Sequence, residues 1–218
     1  MRPSRDAFRV VRSLVPFLAL AACARSDAAV VRRAAEAGAP DPQVLRGRQM
    51  VIEHDCGACH GGGTDPAAQG WLVGSRDTTQ PLQLFHIGPF TTRPRNLTPD
   101  NTTGLGRFTE RQIFNALRYG LRPGETPDVT ITSTTPGQGN FPANPHYLAP
   151  PMPWPAWRHM PDADLWAIAA YLKRGVKPVS NKVPDSEGPP DFWASAYTPD
   201  RIGTYPAPAF PTANEKQP

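Results

Sequence analysis

Proline limits this chain more than any other residue. It fills 28 of 218 positions, well above the usual share of about 5%. Each interior Pro removes a backbone donor and clashes with the preceding helical turn. Long helices are therefore excluded from most of the chain. The pattern leaves room for an all-α fold: a few short helices around one core, long irregular connections, and a Pro-rich C-terminal extension.

Three stretches between the prolines carry helical signals. The first runs from Asp41 or Pro42 to about His54, with Asp41 as cap and Pro42 in the first turn. Val44, Leu45, Met50 and Val51 form its apolar face. Gly47 costs about 1 kcal/mol of helix propensity, which points to a second helix crossing closely at that residue. The second begins at Thr109 and Gln112, a capping box, continues through Ile113, Phe114, Ala116 and Leu117, and stops at Gly120. The third begins at Asp162, with Leu165, Ile168, Ala169 and Leu172 at helical spacing. There Lys173 and Arg174 suit the C-terminal dipole and Gly175 ends the helix. Trp166 and Tyr171 are large enough to cover the gap at Gly47. Residues 61–107 and 121–161 read as loops. Trp193 and Phe192 argue that part of the tail docks.

The first 22 residues read as an export signal. Arg2, Arg5, Arg9 and Arg12 form a basic leader before a short apolar stretch, Leu14 to Ala22, too short for a spanning helix of about 20 residues. Leu20-Ala21-Ala22-Cys23 resembles the lipobox of bacterial lipoproteins, which implies lipidation of Cys23 after removal of residues 1–22. Two or more acyl chains give stable anchoring, at about 0.8 kcal/mol per buried methylene. Ordinary cleavage near Ala22, with Cys23 a spare thiol, is the alternative. Ala24, rather than Asp, follows the Cys, which favours the outer membrane. The leader holds four Arg and one Asp, so only +1 of the formal +4 charge remains after cleavage. That excludes a basic footprint for nucleic acid.

The chemistry lies in Cys56-Gly57-Ala58-Cys59-His60. C-x-x-C-H is the attachment signature of c-type haem. Two thiols separated by two small residues can form thioethers along one porphyrin edge, and His60 then lies beneath the iron. Gly57 and Ala58 let the backbone pass close to the ring edge. Three rivals compete. A thioredoxin-like redox pair needs a βαβ context, a zinc site needs further ligands, and a structural Cys56–Cys59 disulfide leaves His60 unexplained.

The sixth iron position has several candidates. Met152 lies in Ala149-Pro150-Pro151-Met152-Pro153-Trp154, where flanking prolines would hold an extended backbone and present the thioether rigidly. Met50 reads as core filler and Met160 as a packing residue. His54, His86, His146 and His159 are fallbacks that would give a lower potential. In the stretch 61–107, Trp71, Phe85 and Phe90 could wall a haem. Arg93, Arg95 and Asn96 could bind its propionates by charge-assisted bonds.

Together these residues resemble monohaem class I cytochromes c, specifically the alcohol-dehydrogenase-type cytochrome modules. The resemblance runs through Cys56–His60, Pro94-Arg95-Asn96-Leu97-Thr98-Pro99-Asp100, Thr103 to Phe108 and Ala116 to Gly120. It continues through Pro151-Met152-Pro153-Trp154, Met160 to Leu165 and Ala169 to Lys173, and closes at Lys177-Pro178-Val179. It implies the cytochrome c fold over residues 42–180, one covalent haem c, Cys56 and Cys59 as thioether sites, and His60 and Met152 as axial ligands. Residues 23–41 would be a tether and 181–218 an extension. The insertion between Arg122 and Tyr147 and the single module depart from the family pattern. The expected function is single-electron transfer at the periplasmic side of a bacterial membrane. Its partners would be redox proteins: a dehydrogenase donor and an oxidase or another cytochrome as acceptor. The alternatives are a cytochrome subunit fixed in a dehydrogenase complex, and a haem sensor or catalytic haem protein with an open sixth position.

Overall fold

The computed structural model describes residues 39–76, 84–189, 191 and 193–217. The expected signal segment 1–22, Cys23, most of the tether and Phe192 lie outside the described residues. No described helix is long and apolar enough to cross a membrane.

The first helix, α1 (Pro42–Glu53), starts where a cap was expected: the Asp41 carboxylate accepts from Gln43 N at 2.8 Å. It buries Gly47, Met50 and Val51. After Asp55, in the left-handed region at φ 53°, comes the short helix α2 (Cys56–His60). The next segment, expected to be loop, contains a small antiparallel ribbon, β1 (Phe85–Ile87) and β2 (Phe90–Thr92). Phe85 pairs with Thr92, His86 with Thr91 and Ile87 with Phe90. A 3-10 turn at Leu105–Arg107 leads into α3 (Glu110–Tyr119), whose capping box at Thr109 and Gln112 is fully formed. Gly120 ends α3 at φ 70°, and the Trp154 ring lies so close that an added Cβ would fall 2.2 Å from it.

Beyond a 3-10 turn at Pro123–Glu125, the chain forms α4 (Trp154–Trp157) and α5 (Asp162–Ala170). A π turn at Tyr171–Gly175 continues α5. The tail adds a 3-10 turn at Ala194–Ala196 and α6 (Pro199–Ile202). Helices α1, α3 and α5 enclose one core in which Val51 and Leu165 are fully buried, with Met50, Ile113, Leu117, Ile168 and Leu172 around them. Each such side chain contributes about 1.5–3 kcal/mol on burial. The insertion 122–147 has a small core of its own, Leu121, Ile131 and Phe141. It is tied to α3 by Asn115 Nδ2, which donates to Pro127 O and Val129 O.

Three expectations are corrected. Gly47 does mark a close crossing, but only Tyr171 covers it, together with the Ala167 backbone. Trp166 instead stacks on Phe114, ring centroids 4.5 Å apart. Lys173 does not serve its own helix end. Its ammonium donates to Leu105 O, Gly106 O and Phe108 O, capping the turn before α3. Arg174 reaches across to Asp41, Gln43 and Glu110 rather than to the carbonyls of its own last turn.

Candidate functional site

Cys56, Cys59 and His60 share one helical turn. The two thiols are unbridged, Cys56 half-buried and Cys59 exposed. Burial pushes the Cys56 thiol up to about 12 and also raises that of Cys59. Both are therefore protonated at neutral pH in the absence of a partner, the opposite of the low-pKa thiolate that redox pairs need. Among the described residues there is no group of three or more His, Cys, Asp or Glu suited to a metal ion. The disulfide, the redox pair and the zinc site thus all lack support.

Gly57 has a role in the fold besides the one expected at the ring edge. A Cβ on Gly57 would fall 2.0 Å from Gly63 O and 2.6 Å from the Trp71 ring. Gly57 is needed so that the following loop can fold against the back of α2. That loop is then fixed to α2 and its surroundings: Gly63 N donates to Gly57 O, Leu72 N to Gly61 O and Gly74 N to His60 O. Trp71 Nε1 donates to Tyr171 OH at 2.9 Å in the core. Tyr171 therefore joins the loop behind His60 to the crossing of α1 and α5.

The imidazole is oriented from outside its own helix. His60 Nδ1 lies 2.7 Å from the carbonyl of Arg95. An N–H donated there leaves Nε2 with its lone pair, the arrangement that second-shell bonds impose on ligating histidines. Burial lowers the pKa of His60, against an upward push from that same hydrogen bond, so the ring is neutral and able to bind a metal at pH 7.

Met152 is half-buried and packs on the core cluster that Cys56 also joins. Its loop is a tight turn rather than an extended run. Met152 N donates to Ala149 O at 2.9 Å, and Trp154 N donates to Met152 O at 2.8 Å. The prolines fix φ in a turn that feeds directly into α4. Met50 is core and Met160 packs at its edge. The other histidines are engaged elsewhere: His54 with Met50 O, His86 with Thr91, His146 with Glu125, and His159 against Tyr205.

Of the three expected propionate residues, Arg93 Nε is buried with no hydrogen-bond partner. That is the kind of donor an anionic substituent would satisfy. Asn96 is 2% exposed and both of its N–H donors are taken, by Thr103 Oγ1 and Val179 O, while its Oδ1 accepts from Thr98 N. The guanidinium of Arg95 turns to the tail, donating to Val183 O, Pro184 O and Ser186 Oγ. The tail partners, Val179 of Asn96 and Val183, Pro184 and Ser186 of Arg95, lie more than 80 positions away in the chain, where no local pattern signals them. A cavity of about 330 Å³ near Tyr147, Trp154, Arg158 and Tyr197 is lined by none of Cys56, Cys59, His60 or Met152.

Two unbridged thiols, a neutral oriented imidazole, a thioether on the same core and an orphaned guanidinium nitrogen fit a covalently attached haem. The family model for cytochrome c matches residues 44–175. The chain belongs to the cytochrome c family. The family's cofactor is covalently bound haem c, and C-x-x-C-H at Cys56–His60 is where it would attach. The cytochrome is similar to the fructose dehydrogenase cytochrome subunit of Gluconobacter japonicus, 30% identical over 156 residues, which cover 72% of this chain and 26% of the relative. It is also similar to the gluconate 2-dehydrogenase cytochrome c subunit of Pantoea cypripedii, 30% identical over 179 residues, 78% of this chain and 33% of the relative. The cytochrome c subunit of alcohol dehydrogenase (quinone) from Gluconacetobacter polyoxogenes is 29% identical over 174 residues, 76% and 30%. The cytochrome thus spans about a quarter to a third of the length of these relatives.

Proposed function

We propose that this cytochrome is a one-electron carrier held at the periplasmic side of a bacterial membrane, with haem c attached through Cys56 and Cys59 and ligated by His60 and Met152. The observation that carries the reading is the commitment of His60 Nδ1 to the Arg95 carbonyl at 2.7 Å, which reserves Nε2 for iron. When bound, the group supplies a one-electron iron couple. The residues of the chain do the rest. The Met152 thioether favours a higher potential than a second imidazole would, and the core around α1 and α5 keeps water from the proximal side. Arg93 is the propionate contact best supported by its unmatched Nε. Asn96 is less suited because both of its side-chain N–H groups are engaged, and Arg95 because three bonds turn its guanidinium toward the tail.

The leader 1–22 directs export and Cys23 carries the lipid, with Ala24 favouring the outer membrane. The electron donor is a dehydrogenase and the acceptor an oxidase or another cytochrome. A second reading, permanent residence as the cytochrome subunit of a dehydrogenase complex, is favoured by the names of the three relatives.

A pyridine haemochrome spectrum with a potentiometric titration of the mature protein tests the centre. Thioether-linked haem is expected, and a spectrum without it would end the proposal. Substitution Met152→Leu should abolish the Met–iron charge-transfer band of the oxidised protein and lower the potential. An unchanged band would remove Met152 as ligand and put another methionine on the iron, whereas a parent protein without the band would revive the open-site alternative. Substitution Cys23→Ser should release the cytochrome from membranes, and co-purification of a dehydrogenase from solubilised membranes would select the subunit reading.

A further inference from the structure

The segment just beyond the family match is joined to the one loop that orients His60. Val179 N donates to Thr98 Oγ1, and Val179 O accepts from Asn96 Nδ2. Asn181 Nδ2 donates to Val73 O and Ser75 O, beside the Gly74 whose N–H bonds His60 O. Val183 is 6% exposed. Ser186 Oγ lies 2.8 Å from both Arg95 Nη2 and Thr92 Oγ1. Glu187 pairs with Thr91 through two backbone bonds of 2.8 and 2.9 Å. Gly188 lies so close to the ribbon that a Cβ would fall 2.1 Å from Pro89 O.

Arg95 is therefore held from two directions. Its carbonyl accepts from His60 Nδ1. Its guanidinium donates to three acceptors that lie within four residues of the tail, at 3.3, 2.9 and 2.8 Å. A forked guanidinium gripped at several points transmits position, because rotation about any one bond is blocked by the others.

We propose that residues 179–188 form a strap that sets the redox potential by fixing, through the side chain of Arg95, the carbonyl to which His60 Nδ1 donates. The inference rests on His60 being the axial ligand. Arg95 and Ser186 are positioning residues in this scheme, acting through His60. A well-aligned Nδ1–H bond gives the imidazole more anionic character and makes Nε2 a stronger donor, which favours the oxidised iron. Loosening the strap weakens that bond and raises the potential. The strap lies beyond residues 44–175, the stretch that matches the family model.

The test compares the full-length mature holoprotein with a truncation ending at Lys182, with Ser186→Ala and with Arg95→Lys, which keeps the charge but loses the fork. Each is expected to raise the potential by at least threefold in the redox equilibrium constant, about 28 mV at 59 mV per decade. Each should also speed exchange of the His60 Nδ1 proton, read by NMR on the reduced protein, by about tenfold. The double variant Ser186→Ala/Arg95→Lys should shift no further than Arg95→Lys alone, since both act through one grip. If the truncated chain does not fold, the two point variants decide. Variants that keep the parent potential and Nδ1 exchange would overturn the strap. Failure of the underlying ligation by His60 would differ: the parent itself would lack the thioether spectrum or show no axial imidazole in the NMR of its reduced form.

Discussion

Replacing Gly47 with Ala sets two opposing magnitudes against each other at the crossing of α1 and α5. By helix propensity alone the change should stabilise α1 by about 1 kcal/mol. Packing reverses the sign. The new Cβ would fall 1.8 Å from Ala167 O, 2.4 Å from Ala167 C and 2.8 Å from Tyr171 Cβ. A carbon–oxygen contact needs about 3.3 Å or more, so the helices must separate by roughly 1.5 Å. The obstruction is backbone and cannot rotate away. A gap of 0.5–1 Å already forfeits a quarter to a half of each dispersion contact, and the contacts at stake are those of Val51, Leu165 and Ile168. Overpacking costs about 1–3 kcal/mol, and a backbone obstruction belongs at the upper end. Subtracting the propensity gain leaves a net loss of about 2 kcal/mol, or about 4–8 °C in melting temperature at this size. Guanidinium and thermal unfolding of the holoprotein measure it. Gly70→Ala is the control, because a Cβ there meets nothing within 4 Å and φ is not positive. A Gly47→Ala protein as stable as the parent, or more so, would refute the close crossing and the role given to Tyr171 in it.

Three further outcomes follow from particular bonds. Lys173→Met should cost about 1–2 kcal/mol, because the carbonyls of Leu105, Gly106 and Phe108 lose their shared donor; urea titration reads the change, and a neutral result would mean that water replaces the ammonium without loss. Asn96→Ala should destabilise by about 2 kcal/mol, since buried Thr98 N loses its acceptor while Val179 O keeps only its bond from Thr98 Oγ1; a shifted potential with unchanged stability would instead return Asn96 to the propionates. The Arg46 side-chain hydrogen bond holds Asp164 below its ordinary carboxylate value, with burial pushing the other way. Its folded value is depressed, so the stabilisation is fully present above about pH 4 and is lost as pH falls through the folded value. Asp164→Asn should therefore lower stability slightly at pH 7 and not at pH 2, measured by denaturant midpoints at the two pH values.

The residues whose meaning could be read in the sequence are those whose partners are near in the chain or whose chemistry is nearly unique. Asp41 caps Gln43 two residues away, the box at Thr109 and Gln112 closes over three, and C-x-x-C-H carries its spacing in itself. Gly47 was legible for another reason. A helix-weakening residue on an apolar face needs an explanation, and close approach is the one physics offers. Lys173, Arg95 and Asn96 were misread or only half read because a polar side chain advertises its donors but not its acceptors. The acceptors of Lys173 and Arg95, and the Val179 carbonyl bound by Asn96, lie more than 60 positions away in the chain, and no local period encodes them. Within the motif, Gly57 has a second demand that the sequence did not announce: its missing side chain admits Gly63 and Trp71.

Arg95 and Asn96 carry the donors that propionates want, and the fold uses both to hold backbone near His60. Asn96 ties Thr98, Thr103 and Val179 together, and Arg95 binds Val183, Pro184 and Ser186, while its own carbonyl faces His60. An axial imidazole can rotate about its bond to iron unless its second nitrogen is fixed, and one carbonyl fixes it only as well as that carbonyl is itself fixed. The loop 93–103 has no helix; backbone bonds from Ser75 N to Pro94 O and from Leu97 N to Leu72 O tie it down on either side of Arg95. Side-chain bonds add to that hold, and the segment 179–188 supplies their acceptors. Polar residues beside an attachment motif can therefore govern the electronic properties of the iron without touching the porphyrin, by deciding how firmly its proximal ligand is held.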